Sequence, residues 1–123
     1  MPGGWFVVIM EEKQGVTMFE WKKEKSKGKI KNVADNIKKM VEDLHEKGFV
    51  HGDLRPNNII IDESDAKELS FWIIDFDWAG VVNEARYPLF MNHKGITWPK
   101  GAEDGELIMT SHDLEMVSRL YSQ

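Results

Sequence analysis

His51-Gly52-Asp53-Leu54-Arg55-Pro56-Asn57-Asn58, followed downstream by Ile73-Ile74-Asp75-Phe76-Asp77, decides how this chain is read. Pro56 lacks a backbone donor and biases the residue before it away from helical geometry, so the octapeptide reads as a loop. Asp53 and Asn58 stand five positions apart on it, between the end of an apolar-faced helix and an apolar strand, and can face one cavity. Asp75 follows Phe71-Trp72-Ile73-Ile74, so its carboxylate is expected at the end of a buried strand, where an unpaired charge is costly and calls for a cation. Asn58 and Asp75, with the Asp53 carboxylate beside them, suit magnesium, which keeps few protein ligands and shares the rest with phosphate and water.

Working outward, Trp5-Phe6-Val7-Val8-Ile9-Met10 is an apolar, β-branched run that reads as a buried strand over residues 5–10. Residues 11–31 turn to Lys, Glu and Gly and read as a connector with one helical turn; the run Lys22, Lys23, Lys25, Lys27, Lys29 and Lys31 is a solvated face or an attractor of an acidic substrate. The clearest helix is expected over 32–47, capped by Asn32 with Asp35 in capping-box position. Ile30, Val33, Ala34, Ile37, Val41 and Leu44 form its apolar face, and Gly48 suits the left-handed turn that ends it. The apolar runs 58–61 and 69–74, separated by charged residues, predict a hairpin with a longer connection. After Gly80 the chain is broken by Pro88, Gly95, Pro99, Gly101 and Gly105, and Thr110 or Ser111 can cap a final helix over 111–121 carrying Leu114, Val117, Leu120 and Tyr121.

The 123 residues are the size of one domain, and 41% hydrophobic with 30% charged content describes a globular chain without a membrane-spanning run. A net charge of −5 argues against nucleic acid and anionic lipid as partners. Zero cysteines exclude disulfides and thiolate metal sites, and Met1-Pro2-Gly3-Gly4 lacks the features of a secretory signal, so an intracellular, cytoplasmic location is expected. Five tryptophans are many for so short a chain and read as core, or as surface seeking packing partners that the chain itself does not supply.

The octapeptide resembles the catalytic loop of the protein kinase-like superfamily, with the same step from Asp to Asn, and residues 73–77 resemble the metal-binding segment that follows it. Val8-Ile9-Met10-Glu11 looks like the strand and hinge that touch adenine, the helix over 32–47 looks like the one preceding the catalytic loop, and Asp113 resembles the buried aspartate that supports that loop. The resemblance implies an α+β fold, mainly a helical C-terminal lobe with a short β-hairpin, as a single partial domain over 1–123. It further implies ATP-dependent phosphate transfer to a hydroxyl with Mg2+. In that reading Asp53 orients the acceptor hydroxyl, Arg55 assists the transferring phosphate, Asn58 and Asp75 hold the metal, and Glu11, Lys13 and Asn58 contact the cofactor. His51 is read as a hydrogen-bonding structural residue ahead of a proton-transfer base, Asp77 as a metal ligand or a turn residue, and Asp113 alternatively as a helix-terminal capping residue.

The departures are specific. Gly52 stands where phosphorylation-regulated kinases carry arginine, Arg55 where serine/threonine kinases carry lysine, and Asp77 where glycine is usual. His-Gly-Asp and Ile-Asp-Phe-Asp-Trp-Ala-Gly are also similar to the aminoglycoside and choline kinases, and Ala85-Arg86-Tyr87-Pro88 to divergent fungal kinase-like proteins. Only four residues precede Trp5, so the glycine-rich loop and strand lysine are expected to be missing, with weak or no activity for the chain alone. Three readings stay open: a protein-directed phosphotransferase core, a small-molecule kinase, and a pseudokinase scaffold with a protein partner over its exposed lobe face.

Overall fold

The computed structural model describes residues 15–63 and 69–120. Along the chain run β1 (Val16–Thr17), the single turn α1 (Met18–Trp21), a 3-10 turn (Lys22–Glu24), α2 (Lys27–Glu46), β2 (Phe49–Val50), a 3-10 turn (Pro56–Asn58), β3 (Ile59–Asp62), β4 (Ser70–Ile73), β5 (Gly80–Val81) and α3 (Thr110–Ser118). This is a small α+β arrangement with short antiparallel sheets. The strand expected over residues 5–10 lies outside the described residues, as do Glu11 and Lys13.

The long helix starts earlier than expected. Ser26, not Asn32, is its cap, with the Ser26 Oγ accepting the Lys29 N–H at 3.2 Å, and Asn32 sits inside the helix. The physical reason is Ile30: it is buried on the same face as Val33, Ala34, Ile37 and Val41, so the helix must begin at least a turn before it. Lysine is also a good helix former. Asp35 does not complete a capping box; it pairs with Lys31 one turn back at 3.0 Å. At the other end Gly48 takes φ +90, the left-handed conformation expected of it, and its N–H bonds the His45 carbonyl at 2.9 Å.

The expected hairpin is present as β3 and β4, paired Ile59 to Ile73 through Asp62 to Ser70. Alternation puts Ile59, Ile61 and Ile73 into the core, and β1 pairs with the other edge of β3. β2 and β5 form a separate two-stranded ladder, Phe49 to Val81 and Val50 to Gly80. The final helix begins at Thr110 with Met109 in the cap position. Methionine has no oxygen to offer, and the ring of His112 takes over: its Nδ1 accepts the Met109 N–H at 3.2 Å. Tyr121 lies outside the described residues.

Two apolar clusters result. One gathers α1, the buried face of α2, the hairpin, Leu54, and Met116, Val117 and Leu120. The other holds Val50, Tyr87, Met91, Ala102 and Ile108 beneath the irregular segment. The tryptophans among them pack inside the chain, the core placement of the two that the sequence left open: Trp21 is buried in the first cluster, and Trp78 and Trp98 pack on each other at 5.6 Å. The lysine run is also paired internally. Lys25 and Lys29 close on Glu63 at 3.0 and 2.7 Å, which holds its carboxyl down at about 2.

Ser26→Ala is expected to lose about 1 kcal/mol of stability in urea unfolding, the usual contribution of an N-cap. Asn32→Ala, in the helix interior, is expected to change it by less than about 0.5 kcal/mol or to raise it.

Candidate functional site

The site is built from α3 upward. Asp113, 1% exposed, sends its carboxylate under the loop that follows β2. Oδ2 accepts the His51 N–H at 2.9 Å, Oδ1 accepts the Gly52 N–H at 2.9 Å, and His45 Nε2 at the end of α2 lies 2.9 Å from Oδ2. Two amides that no strand could use are thereby satisfied by one buried acceptor. Of the two sequence readings of Asp113, the geometry is that of loop support. His45 was not singled out beforehand; its signal was a histidine in the last turn of a helix leading into a polar loop.

His51 is fully buried and works as a two-ended brace. Its Nδ1 accepts the Asp53 N–H at 3.1 Å, so Nε2 carries the proton and donates to the Ile74 carbonyl at 3.1 Å. Both bonds require the neutral ring. Burial is the main cause that pushes its pKa below the usual histidine value, against the charges of Asp113, Asp53 and Asp75 that pull it up. This is the structural role expected of it. The edge of the Phe76 ring packs on the imidazole at 4.8 Å, closing the contact between loop and downstream segment.

Gly52 has φ +92, and a Cβ there would stand 2.8 Å from Ile108 Cδ1. Ile108 fills the room in which a side chain at this position would begin. An arginine here would be strained by the positive φ and would require the end of the Ile108 side chain to shift.

Asp53 is buried and its carboxylate is held by Arg55, Nε to Oδ1 at 2.7 Å and Nη2 to Oδ2 at 3.4 Å. Asn58, also buried, donates from Nδ2 to the Asp53 carbonyl at 2.8 Å, which leaves its amide oxygen as the end able to take a cation. The Asn58 carbonyl in turn accepts the Ile74 N–H at 2.8 Å. Asp53, Asn58 and Asp75 are thus brought into one neighbourhood by backbone bonds rather than by sequence proximity.

Asp75 corrects one expectation. It is exposed, and β4 is only partly buried, so no desolvation penalty compels its charge to find a cation. What singles it out is its backbone, with φ +59, a left-handed conformation that few non-glycine residues adopt. Its Oδ1 accepts the Asp77 N–H at 3.3 Å, so Asp77 contributes a turn-forming amide. Asp77 itself is not among the positive-φ residues, and nothing at that position requires glycine.

Among the described residues no three His, Cys, Asp or Glu side chains come together as a metal cage. The remaining donor set is one amide oxygen and one exposed carboxylate, a sparse oxygen set that fits magnesium with phosphate and water completing the shell. No helix among the described residues is long and apolar enough to cross a membrane.

A family model described as a protein kinase domain matches residues 3–97. No curated protein matches the chain. The matched stretch contains the loop, the hairpin and Asp75 but stops short of α3, so the tie between Asp113 and the loop comes from the structure alone.

Asp113→Ala is expected to cost about 3 kcal/mol or more, because it strands two buried N–H groups, and to speed hydrogen exchange at His51 and Gly52 ahead of α2. Since the folded chain holds His51 neutral, acid protonates the unfolded chain first. Stability present above about pH 6.5 is then expected to decline as pH falls through that value toward the lower folded pKa. His51→Gln should flatten this slope in urea melts taken across the same range.

Proposed function

This chain belongs to the protein kinase domain family, and from that premise we propose that residues 51–58 and 73–77 form the acceptor-activating and metal-binding half of an ATP-dependent phosphotransferase site, on a fold corresponding to the helical lobe of the family. The observation that carries the reading is the bond chain from Asp53 through Asn58 to Ile74, closed by His51. In this reading a buried carboxylate, an oriented amide and an exposed carboxylate share one neighbourhood; the Asn58 amide oxygen and one Asp75 carboxylate oxygen stay available, while Asp53 pairs with Arg55 and Asp75 Oδ1 accepts the Asp77 N–H.

In this reading Asp53 takes the acceptor hydroxyl's hydrogen bond and orients its oxygen toward the phosphorus, a positioning role with general-base character. Asn58 Oδ1 and the Asp75 carboxylate are the residues that would hold Mg2+, and when bound the metal supplies neutralisation of charge on the phosphate oxygens. Arg55, a planar fork already committed to Asp53 through two of its nitrogens, keeps further N–H groups for a phosphate oxygen. Glu11 and Lys13 remain the proposed nucleotide contacts on the hinge side. The acceptor is a hydroxyl on a protein or a small molecule; the strain that a side chain at position 52 would meet, from φ +92 and from Ile108, supports a site whose loop is held by packing and not by a phosphate switch.

Titration of ATP with and without magnesium, followed by thermal shift, tests the binding half. A magnesium-dependent rise in melting temperature is expected, equivalent to about 2.7 kcal/mol at a hundredfold excess over Kd, and Asp75→Ala should remove the magnesium dependence. In transfer assays Asp53→Asn should lower turnover by about 10²–10⁴-fold, the range for a positioned acid–base group. If neither nucleotide nor metal changes the melting of the parent, the phosphotransferase reading fails and a binding module of this family takes its place.

A further inference from the structure

We propose that Trp98 is a positioning residue for the candidate site: its ring backs the Arg55 guanidinium and keeps that fork aligned on the Asp53 carboxylate. Arg55 Cζ lies over the Trp98 ring, 6.0 Å from its centroid, while its Nε donates to Asp53 Oδ1 at 2.7 Å. A guanidinium that lies over an aromatic ring at cation–π distance and is hydrogen-bonded to a carboxylate is restrained by two different contacts. The stem of Arg55 alone could not do this, because an arginine side chain on a loop has several free torsions and loses them only where something covers its flat face.

Trp98 is itself held from several directions. Its Nε1–H donates to the Asn92 carbonyl at 2.8 Å, and its ring packs on Trp78 at 5.6 Å and on Tyr87 at 6.4 Å. The preceding residue is tied to the last helix, where Arg119 donates to the Thr97 carbonyl. Among the described residues, Trp98 is the one partly buried side chain packed on both apolar clusters. It therefore stands at the junction where the helix-and-hairpin core meets the core beneath the irregular segment, and any shift between them is passed to Arg55. The segment 92–98 carries no residue of the octapeptide motif, yet it sets how the Asp53–Arg55 pair is presented.

Its relevance to transfer rests on the reading of Asp53 and Arg55 above, so the test is made on the full chain by NMR and does not use turnover. The Arg55 Nε–H resonance should be shifted upfield by the ring and protected from exchange. Trp98→Phe should preserve both signatures. Trp98→Leu should lower the protection about tenfold, the size expected of a partly desolvated cation–π contact, while the His51 and Gly52 amides keep theirs. Unchanged Arg55 protection in Trp98→Leu overturns the proposal, as does equal loss at His51 and Gly52, which would mean that the variant loosens the whole fold. Should that variant not fold, Arg55→Gln gives the reciprocal reading: the Trp98 indole resonances must move, and their constancy overturns the proposal. A retained NMR result beside a chain whose melting responds to neither ATP nor magnesium would refute the transfer reading and leave the role of Trp98 standing.

Discussion

The carboxylate of Asp113 is the constraint on which the rest of the structure depends. Residues 51 and 52 leave β2 and turn through a left-handed glycine, so their N–H groups cannot join a ladder and point into the protein. A buried donor without a partner costs about 1–3 kcal/mol, and here two of them meet one acceptor from a helix more than sixty positions away. His45, bonded to the same carboxylate, brings in the end of α2. One side chain thus fixes α2, α3 and the loop relative to one another. Ile37 and Val41 of α2 share one buried apolar cluster with Met116 and Val117 of α3, and that burial makes the fixed arrangement favourable.

From that anchor the site is assembled almost wholly by backbone bonds. His51 cannot rotate without losing either Asp53 N–H or the Ile74 carbonyl. Asn58 ties its side chain to the start of the loop and its carbonyl to the residue before Asp75. The hairpin supplies the rigid support, since Ile59 and Ile73 face each other in the register next to these bonds. The loop is itself largely buried, with Leu54 in the helix-and-hairpin core and Gly52 against Ile108, while the Asp75 carboxylate beside it stays exposed.

Much of this was legible in sequence, for identifiable reasons. The loop, the hairpin and Gly48 were readable because proline, alternation and glycine act over a few residues. The start of α2 was misplaced because Asn32 and Asp35 imitate a capping box, although Ile30 already belonged to the apolar face and a cap must precede its own face. The cap of α3 was not readable at all, since a methionine in that position works only because His112 reaches back. Ion pairing of the lysine run depends on Glu63, across a fold contact that spacing cannot show. Trp98 and Ile108 were invisible for the same reason: each acts on the loop from a segment whose local pattern is irregular.

Asp75 joins the two themes of anchoring and access. A left-handed residue other than glycine stores free energy, less for aspartate than for most, and persists only where its surroundings over-determine it. Those surroundings are the preceding residue, Ile74, whose N–H is pinned by the Asn58 carbonyl and whose C=O is pinned by His51, and the following turn, in which the Asp77 amide bonds back to the Asp75 side chain. The strained residue therefore lies between two fixed points, and Phe76 is turned inward against His51 while the Asp75 carboxylate is left facing solvent. Relaxing Asp75 to an extended conformation would have to move Phe76 off the imidazole or break the bond at Ile74. The exposed charge is thus set by the same buried histidine that sets Asp53, and through Asp113 the position of both traces to the last helix.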